Sequence, residues 1–98
     1  MDHKELVELD HQYVMQTYGR FDVDIDHGQG ATLYDLDGKE YIDFSSGTGV
    51  NSIGYANPKW VEAITQQAMK LGHISNLFYS QPYAKLAEKL CQRSRMAG

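Results

Sequence analysis

The chain has 98 residues, and 42% of them are apolar, which is typical of globular proteins and excludes a compositionally disordered chain. The formal charge is -4, and the basic residues are scattered, which argues against a nucleic-acid partner. Cys91 is the single cysteine, so an internal disulfide is excluded and a reducing compartment is favoured. A chain of this size buries only roughly 60–65% of its unfolded surface, so we expect its stability to depend on another chain or on sequence after Gly98.

Signals for targeting or membrane insertion are not found in the sequence. No apolar run is longer than three residues, which predicts no membrane span. The first five residues, Met1-Asp2-His3-Lys4-Glu5, are polar and unlike a secretory signal or a transit peptide. We therefore expect a cytoplasmic protein that does not bind membranes.

The first predicted element is an amphipathic helix over residues 3–16. Three apolar residues recur at helical spacing and indicate an amphipathic helix: Leu6, Leu9 and Tyr13. Asp2 is the expected N-cap, because Glu5 stands three residues further on and would complete a capping box.

A short strand is predicted over residues 21–27, where apolar and acidic residues alternate. The three aspartates also have the spacing of a calcium loop. Gly28, however, stands one residue too late for an EF-hand, so strand alternation is the better interpretation.

A β-hairpin is predicted over residues 31–44, because Asp37-Gly38 is a strong turn signal. A two-residue loop would pair Leu36 with Lys39. A three-residue loop would pair Asp35 with Lys39, and we favour it because opposite charges then face each other.

Two loops and two helices complete the pattern. Residues 45–56 hold three glycines and are expected to form a loop that lies close to a ligand. Helices are predicted over 58–71, with Asn57 as the N-cap, and over 82–92, and both have apolar stripes that face a core. Residues 73–80 form an aromatic-bearing loop between them. The fold class is therefore α/β, with three helices, a β-hairpin and a short strand.

The residue pattern alone contains no catalytic centre. Both short glycine motifs lack the third glycine of a dinucleotide-binding loop, and Ser45 and Ser46 lack the context of a hydrolase nucleophile. The six lysines lie on predicted helix surfaces, at helix ends and in a turn, where no apolar setting activates them. The pattern thus indicates an accessory α/β segment with two loops suited to contact a ligand.

An ordered set of motifs nevertheless carries a specific resemblance. The motifs are Tyr13-Val-Met-x-Thr-Tyr-Gly-Arg20, Gly28-x-Gly-Ala-Thr-Leu-Tyr-Asp-Leu-Asp-Gly-Lys-Glu-Tyr-Ile-Asp-Phe44, Ser46-Gly-Thr-Gly-Val-Asn51, Gly54-x-x-Asn-Pro58 and His73-x-Ser-Asn-Leu-Phe-Tyr79. The chain resembles the N-terminal part of class III pyridoxal-phosphate aminotransferases, most of all the branch that uses N-acetylornithine in arginine synthesis. Where relatives commonly show Gly-His-x-His-Pro, this chain has Gly54-Tyr-Ala-Asn-Pro58.

The resemblance implies a fold-type I enzyme that is active as a homodimer. Pyridoxal phosphate, held on a lysine, would carry an amino group from an amino-acid substrate to 2-oxoglutarate. The substrate-side loop would be formed by Gly47, Thr48, Val50 and Asn51. A second loop, which approaches the partner subunit's cofactor, would be formed by Ser75, Asn76, Phe78 and Tyr79. A tyrosine stands at the position of Gly47 in ornithine-using relatives, so the glycine leaves room for a bulkier acylated side chain.

The resemblance also implies that the large cofactor-binding domain, with its lysine, belongs downstream of residues 1–98. We therefore expect the 98-residue chain to hold no catalytic residue and no metal site, and to be inactive alone. Two alternatives stay open. One is the same segment of an ornithine or 4-aminobutyrate aminotransferase. The other is a non-catalytic interaction module, whose hairpin would add to a partner's sheet.

Overall fold

Residues 1–97, the part of the chain that the computed structural model describes, form four helices and a three-stranded antiparallel sheet. The elements in chain order are α1 (His3–Tyr13), β1 (His27–Gln29), β2 (Thr32–Tyr34), β3 (Glu40–Ile42), α2 (Ser46–Gly49), α3 (Pro58–Lys70) and α4 (Gln81–Ser94). The chain divides into two compact units, Met1–Ala63 and a second that begins at Ile64, so the boundary falls within α3. No helix in the described part is long and apolar enough to cross a membrane.

α1 begins at His3 because the predicted capping box is present. The Asp2 carboxylate accepts a hydrogen bond from the Glu5 backbone amide at 2.9 Å, and the Glu5 carboxylate accepts one from the Asp2 amide at 3.0 Å. Such a cap contributes about 1 kcal/mol to helix stability. The helix ends at Tyr13, three residues before the predicted end. Its C-terminal carbonyls find another partner there, since the Gln16 side-chain amide donates to the backbone oxygen of Asp10 at 3.3 Å.

The strand predicted over residues 21–27 is wrong. The Val23 amide donates to the carbonyl of Phe21 at 2.8 Å, and this tight turn interrupts the extended backbone that a ladder requires. The apolar residues of the segment stay exposed instead of covering a core. Alternation in this segment has a different cause, because Asp22 and Asp24 both turn towards His3.

The hairpin has the three-residue loop that the charge pairing favours. β2 and β3 pair antiparallel up to Tyr34 and Glu40, and the Asp35 amide then donates to the carbonyl of Lys39 at 3.1 Å. Gly38 takes φ +82°, a left-handed conformation that glycine adopts without steric cost. β1 pairs with the other edge of β2, from His27 opposite Tyr34 to Gln29 opposite Thr32. The predicted hairpin is thus confirmed, and the third strand lies at 27–29.

No residue within 1–97 is buried as a whole, so the apolar stripes predicted to face a core are not covered within these residues. On α1, Leu9 is 44% exposed and Tyr13 73% exposed; on α3, Ile64 is 53% exposed, and on α4, Leu90 is 59% exposed. Helical spacing identifies the apolar face of a helix but not the layer that covers it. α3 and α4 start and stop within two residues of the predicted bounds, and Asn57 caps α3 as expected, since its side-chain oxygen accepts from the amides of Lys59 and Trp60.

His3 ties α1 to the segment that precedes the sheet. Its Nε2 lies 2.7 Å from a carboxylate oxygen of Asp22, and its Nδ1 lies 2.6 Å from one of Asp24. Asp24 is the more enclosed partner, with 8% of its side chain exposed, and its second oxygen accepts from the Leu36 amide at 2.7 Å. Asp22, and then Asp24, raise the pKa of His3 above its ordinary value of 6.5.

We predict that the hold of His3 on this segment is pH-dependent. Because the folded pKa is raised, the stabilising contribution is complete below about pH 6.5 and is lost as the pH rises through the folded value. An NMR titration of the His3 imidazole should therefore give a midpoint above 6.5.

The matched control neutralises a different carboxylate in the same unit. Asp22→Asn should lower the midpoint of His3, whereas Asp37→Asn, in the hairpin turn, should not. A midpoint that responds equally to both substitutions would show a general charge effect and no specific pair.

Candidate functional site

The segment predicted as a glycine-rich loop contains a helical turn, α2, which the sequence pattern missed. Four consecutive residues take left-handed backbone angles, with φ of 50° at Ser46, 59° at Gly47, 59° at Thr48 and 87° at Gly49. The turn is closed by the Gly49 amide, which donates to the Ser45 carbonyl at 3.1 Å. A left-handed β-branched residue such as Thr48 costs about 1–3 kcal/mol, so neighbouring contacts must hold this turn.

Asp43 holds the beginning of the turn. One carboxylate oxygen accepts from the Ser45 amide at 2.9 Å, from the Ser45 hydroxyl at 2.9 Å and from the Ser46 amide at 3.1 Å. The other oxygen accepts from the Tyr55 hydroxyl at 2.6 Å. The Tyr55 hydroxyl, followed by the Ser45 groups, lowers the pKa of Asp43 to about 2, so this side chain is ionised near neutral pH.

Tyr55 holds the end of the same segment. Its backbone forms two hydrogen bonds with Gly30, of 2.9 and 2.8 Å, in an isolated antiparallel bridge at the edge of the sheet. Gly54 takes φ +80° and lies so close that an added Cβ would stand 3.0 Å from the Gly30 oxygen. At Gly28 an added Cβ would stand 2.9 Å from the Tyr55 ring, so the ring packs directly on that glycine. Glycines 28 and 54 are thus required for close approach.

The four residues predicted to border the substrate share this held segment. Gly47 faces the Asn51 side chain, since an added Cβ would lie 2.8 Å from Asn51 Nδ2. The Thr48 hydroxyl donates to the Gly47 carbonyl at 2.7 Å, and Val50 is exposed. Asn51 is half-buried, and its backbone amide donates a hydrogen bond to the Ser46 carbonyl at 2.9 Å. The backbone of α2 therefore places these four residues side by side.

The second predicted loop lies in the unit that begins at Ile64. Ser75 starts a turn, because its carbonyl accepts from the Phe78 amide at 3.1 Å and its hydroxyl accepts from the Leu77 amide at 3.2 Å. Tyr79 is fully exposed and Phe78 largely so. A shallow cavity of about 250 Å³ adjoins this loop, and its lining includes Gln67, Leu71, His73, Asn76, Phe78 and Tyr83.

Sequence reasoning missed the role of two residues, Asp43 and Tyr55. Both stand inside motifs that carry the resemblance. The 12-residue separation of the two side chains gave no sign that they meet.

The described residues do not form a cradle for pyridoxal phosphate by themselves. All six lysines are exposed within the described residues, so none lies in a desolvated setting there. Residues 1–97 likewise contain no group of acidic, histidine or cysteine side chains that could bind a metal ion.

Comparison with known proteins places the chain in a family. The family model "Aminotransferase class-III" matches residues 13–97. Acetylornithine aminotransferase from Haemophilus ducreyi is 50% identical over 94 residues, which are 96% of this chain and 24% of that relative. The enzyme of the same name from Methanocaldococcus jannaschii is 46% identical over the same shares of the two chains. The chain therefore belongs to the class III aminotransferases, and it spans about a quarter of the length of these relatives.

Solved structures agree with this assignment. Acetylornithine aminotransferase from Elizabethkingia anophelis superposes with a TM-score of 0.91 at 30% identity, over 94% of this chain and 24% of that chain. Ornithine aminotransferase from Toxoplasma gondii gives 0.90 at 28% identity, over 95% and 22%. The predicted resemblance and the α/β fold class are confirmed. Class III aminotransferases depend on pyridoxal phosphate, as the resemblance implied.

Gly54→Ala should loosen the end of the candidate loop. A Cβ would meet the Gly30 backbone, which cannot rotate away, and the left-handed φ adds strain, for a total of about 1–3 kcal/mol. Amide exchange measured by NMR should then be at least about fivefold faster at Gly30 and Tyr55.

Gly19→Ala is the matched control, because a Cβ at Gly19 meets nothing within 4 Å and its φ lies outside the left-handed region. It should leave both exchange rates unchanged. Equal rates in wild type and Gly54→Ala would contradict the close packing of Gly54 on Gly30.

Proposed function

We propose that the chain is the N-terminal segment of a pyridoxal-phosphate-dependent acetylornithine:2-oxoglutarate aminotransferase. The observation that carries the proposal is the agreement between 50% identity to the Haemophilus ducreyi enzyme over 96% of the chain and a fold that superposes on a solved enzyme of the same name. When bound, the cofactor supplies the electron sink for moving the amino group. The segment's own task is to bind and orient substrate beside it, in the cytoplasm.

The substrate-side task falls to α2 and the two residues after it. Three features support this assignment. The turn presents backbone and short side chains without bulk, it is held at both ends, and Gly47 carries no side chain towards Asn51. Thr48 and Val50 are exposed and therefore free to contact a ligand. Under this proposal Gly47 makes room for the acetyl group of the amino donor.

The loop at 75–79 serves the dimer in this proposal. Ser75, Asn76, Phe78 and Tyr79 would reach the partner subunit's cofactor site in a homodimer. Support comes from the exposure of Phe78 and Tyr79, because two large aromatic side chains in water favour a partner surface.

The exposed apolar faces also favour a segment of a larger enzyme. α3 and α4 are clearly amphipathic, yet their apolar residues stay 40–60% exposed at several positions, including Val61, Ile64, Leu86 and Leu90. Burial of such side chains contributes roughly 1.5–3 kcal/mol each, which is unrealised within residues 1–97. We propose that the remainder of the aminotransferase and its partner subunit cover these faces.

Exchange of segments between enzymes tests the proposal. The matching 94 residues of the Haemophilus ducreyi enzyme would be replaced by this chain, giving a chimera that contains the rest of that relative. We expect the chimera to fold with cofactor and to transfer the amino group of N-acetylornithine to 2-oxoglutarate. A folded, cofactor-loaded chimera that lacks this activity would contradict the proposal and favour a non-catalytic interaction module.

The amino donor is tested at Gly47 in the same chimera. Gly47→Tyr should lower the preference for N-acetylornithine over ornithine, measured as the ratio of kcat/KM values, by about tenfold, which corresponds to roughly 1.4 kcal/mol. Gly38→Tyr is the matched control, because Gly38 is also left-handed but lies in the hairpin turn with open space around it. An unchanged ratio in Gly47→Tyr would favour an ornithine-type or another ω-amino-acid enzyme. The similarity to the Toxoplasma gondii ornithine aminotransferase is the reason for testing this alternative.

The 98-residue chain alone should be inactive. Because exposed lysines react with pyridoxal phosphate without selectivity, we expect borohydride reduction at one equivalent of cofactor to label the six lysines in a scattered way, with no single lysine modified stoichiometrically, as measured by mass spectrometry. The intact Haemophilus ducreyi enzyme is the positive control. One reduced cofactor per chain at a single lysine would overturn this prediction.

A further inference from the structure

The hydrogen bond between Asp43 and Tyr55 joins the two ends of the segment 45–54, which contains α2. Asp43 precedes residues 45–54 and Tyr55 follows them, and the hydroxyl–carboxylate distance is 2.6 Å. A hydrogen bond to an ionised acceptor is among the stronger hydrogen bonds in proteins. The Asp43–Tyr55 bond closes a loop between two residues that are 12 positions apart. Without this bond the two ends would be connected only through the sheet.

Each partner in this bond is fixed independently of the other. The Asp43 amide donates to the Ala31 carbonyl at 2.9 Å, and the Tyr55 backbone pairs twice with Gly30. The Tyr55 ring also rests on Gly28, where an added Cβ would lie 2.9 Å from the ring. The hydroxyl is therefore delivered to Asp43 by the sheet, and little side-chain freedom is lost when the bond forms.

The same carboxylate sets the backbone of α2. While one oxygen receives Tyr55, the other receives three donors from Ser45 and Ser46. Those donors fix the backbone at the point where it enters the left-handed turn that ends at Gly49. A rotation of the carboxylate would break contacts on both sides, so the tyrosine hydroxyl controls the orientation on which the turn depends.

We propose that Tyr55 and Asp43 are positioning residues that hold α2 in its ligand-binding conformation and thereby set the affinity for the amino donor. This inference rests on the proposed function for its kinetic consequence, and on the hydrogen bonds alone for its structural one. Neither residue is assigned a contact with the reacting atoms.

The kinetic test uses Tyr55→Phe in the chimera, because it removes the hydroxyl and keeps the ring on Gly28. We expect the KM for N-acetylornithine to rise about tenfold while kcat changes by less than about twofold, the split expected for a defect in binding. The proposal is overturned if Tyr55→Phe lowers kcat and leaves KM unchanged, or if it changes neither value.

The chain offers a closely matched control in Tyr41. Its hydroxyl donates to Asp35 at 3.0 Å, so it makes the same type of bond at the hairpin turn, away from α2. Tyr41→Phe should leave KM unchanged. An equal rise of KM in Tyr41→Phe would show that any lost tyrosine–aspartate bond has this effect, and would overturn the specific role of Tyr55.

A second measurement needs no activity and separates this inference from the proposed function. Amide exchange at Ser45 and Ser46, followed by NMR in the full 98-residue chain, should be at least about fivefold faster in Tyr55→Phe and unchanged in Tyr41→Phe. If the chimera is inactive and this difference is present, the proposed function fails and the positioning role stands. If Ser45 and Ser46 exchange equally fast in wild type and Tyr55→Phe, the positioning role fails whatever the enzyme does.

Discussion

Aspartate carboxylates, and not a buried core, determine the local structure of the first unit. Asp24 pairs with His3 and accepts a hydrogen bond from the Leu36 amide. Asp35 accepts a hydrogen bond from a backbone amide of the hairpin turn, and Asp43 accepts one from the segment that contains α2. Each carboxylate accepts several donors and joins a loop to the sheet or to a neighbouring segment. Because no residue within 1–97 is buried as a whole, these bonds compete with water, which limits what each contributes to stability. The unit is therefore well specified in shape but weakly stabilised by its own contacts.

The parts of the fold that could be predicted are those in which neighbouring residues act on each other. The capping box of α1, the Asn57 cap of α3 and the hairpin loop all depend on residues within five positions of one another. The prediction of a strand over 21–27 was wrong because two of its aspartates bond to His3, which lies 19 to 21 positions away. The prediction that the apolar helix faces pack against a core was wrong for a related reason. The sequence of an amphipathic helix does not specify which other element covers its apolar face.

The candidate site shows the same division. Spacing and composition identified a glycine-rich segment suited to approach a ligand, but only the resemblance gave Gly47, Thr48, Val50 and Asn51 a role. Neither could show the left-handed backbone of α2, because two of its four residues are not glycine, and Thr48 is β-branched. The conformation is imposed from outside the turn by Asp43. A rule that considers each residue by itself therefore fails at this position.

Stability and function make opposite demands on this segment, and the division between backbone and side chains reconciles them. Under the proposed function, the segment needs small residues beside the substrate, such as Gly47 and Gly49, yet such residues increase the conformational freedom of the unfolded chain. The sheet compensates by holding both ends of the segment through Asp43, Tyr55 and Gly30, none of which has to face a ligand. Under the proposed function, substitution at Tyr55 changes how the loop is held, while substitution at Gly47 changes the surface offered to the substrate. Residues that hold the loop and residues that select the donor are in that case separable.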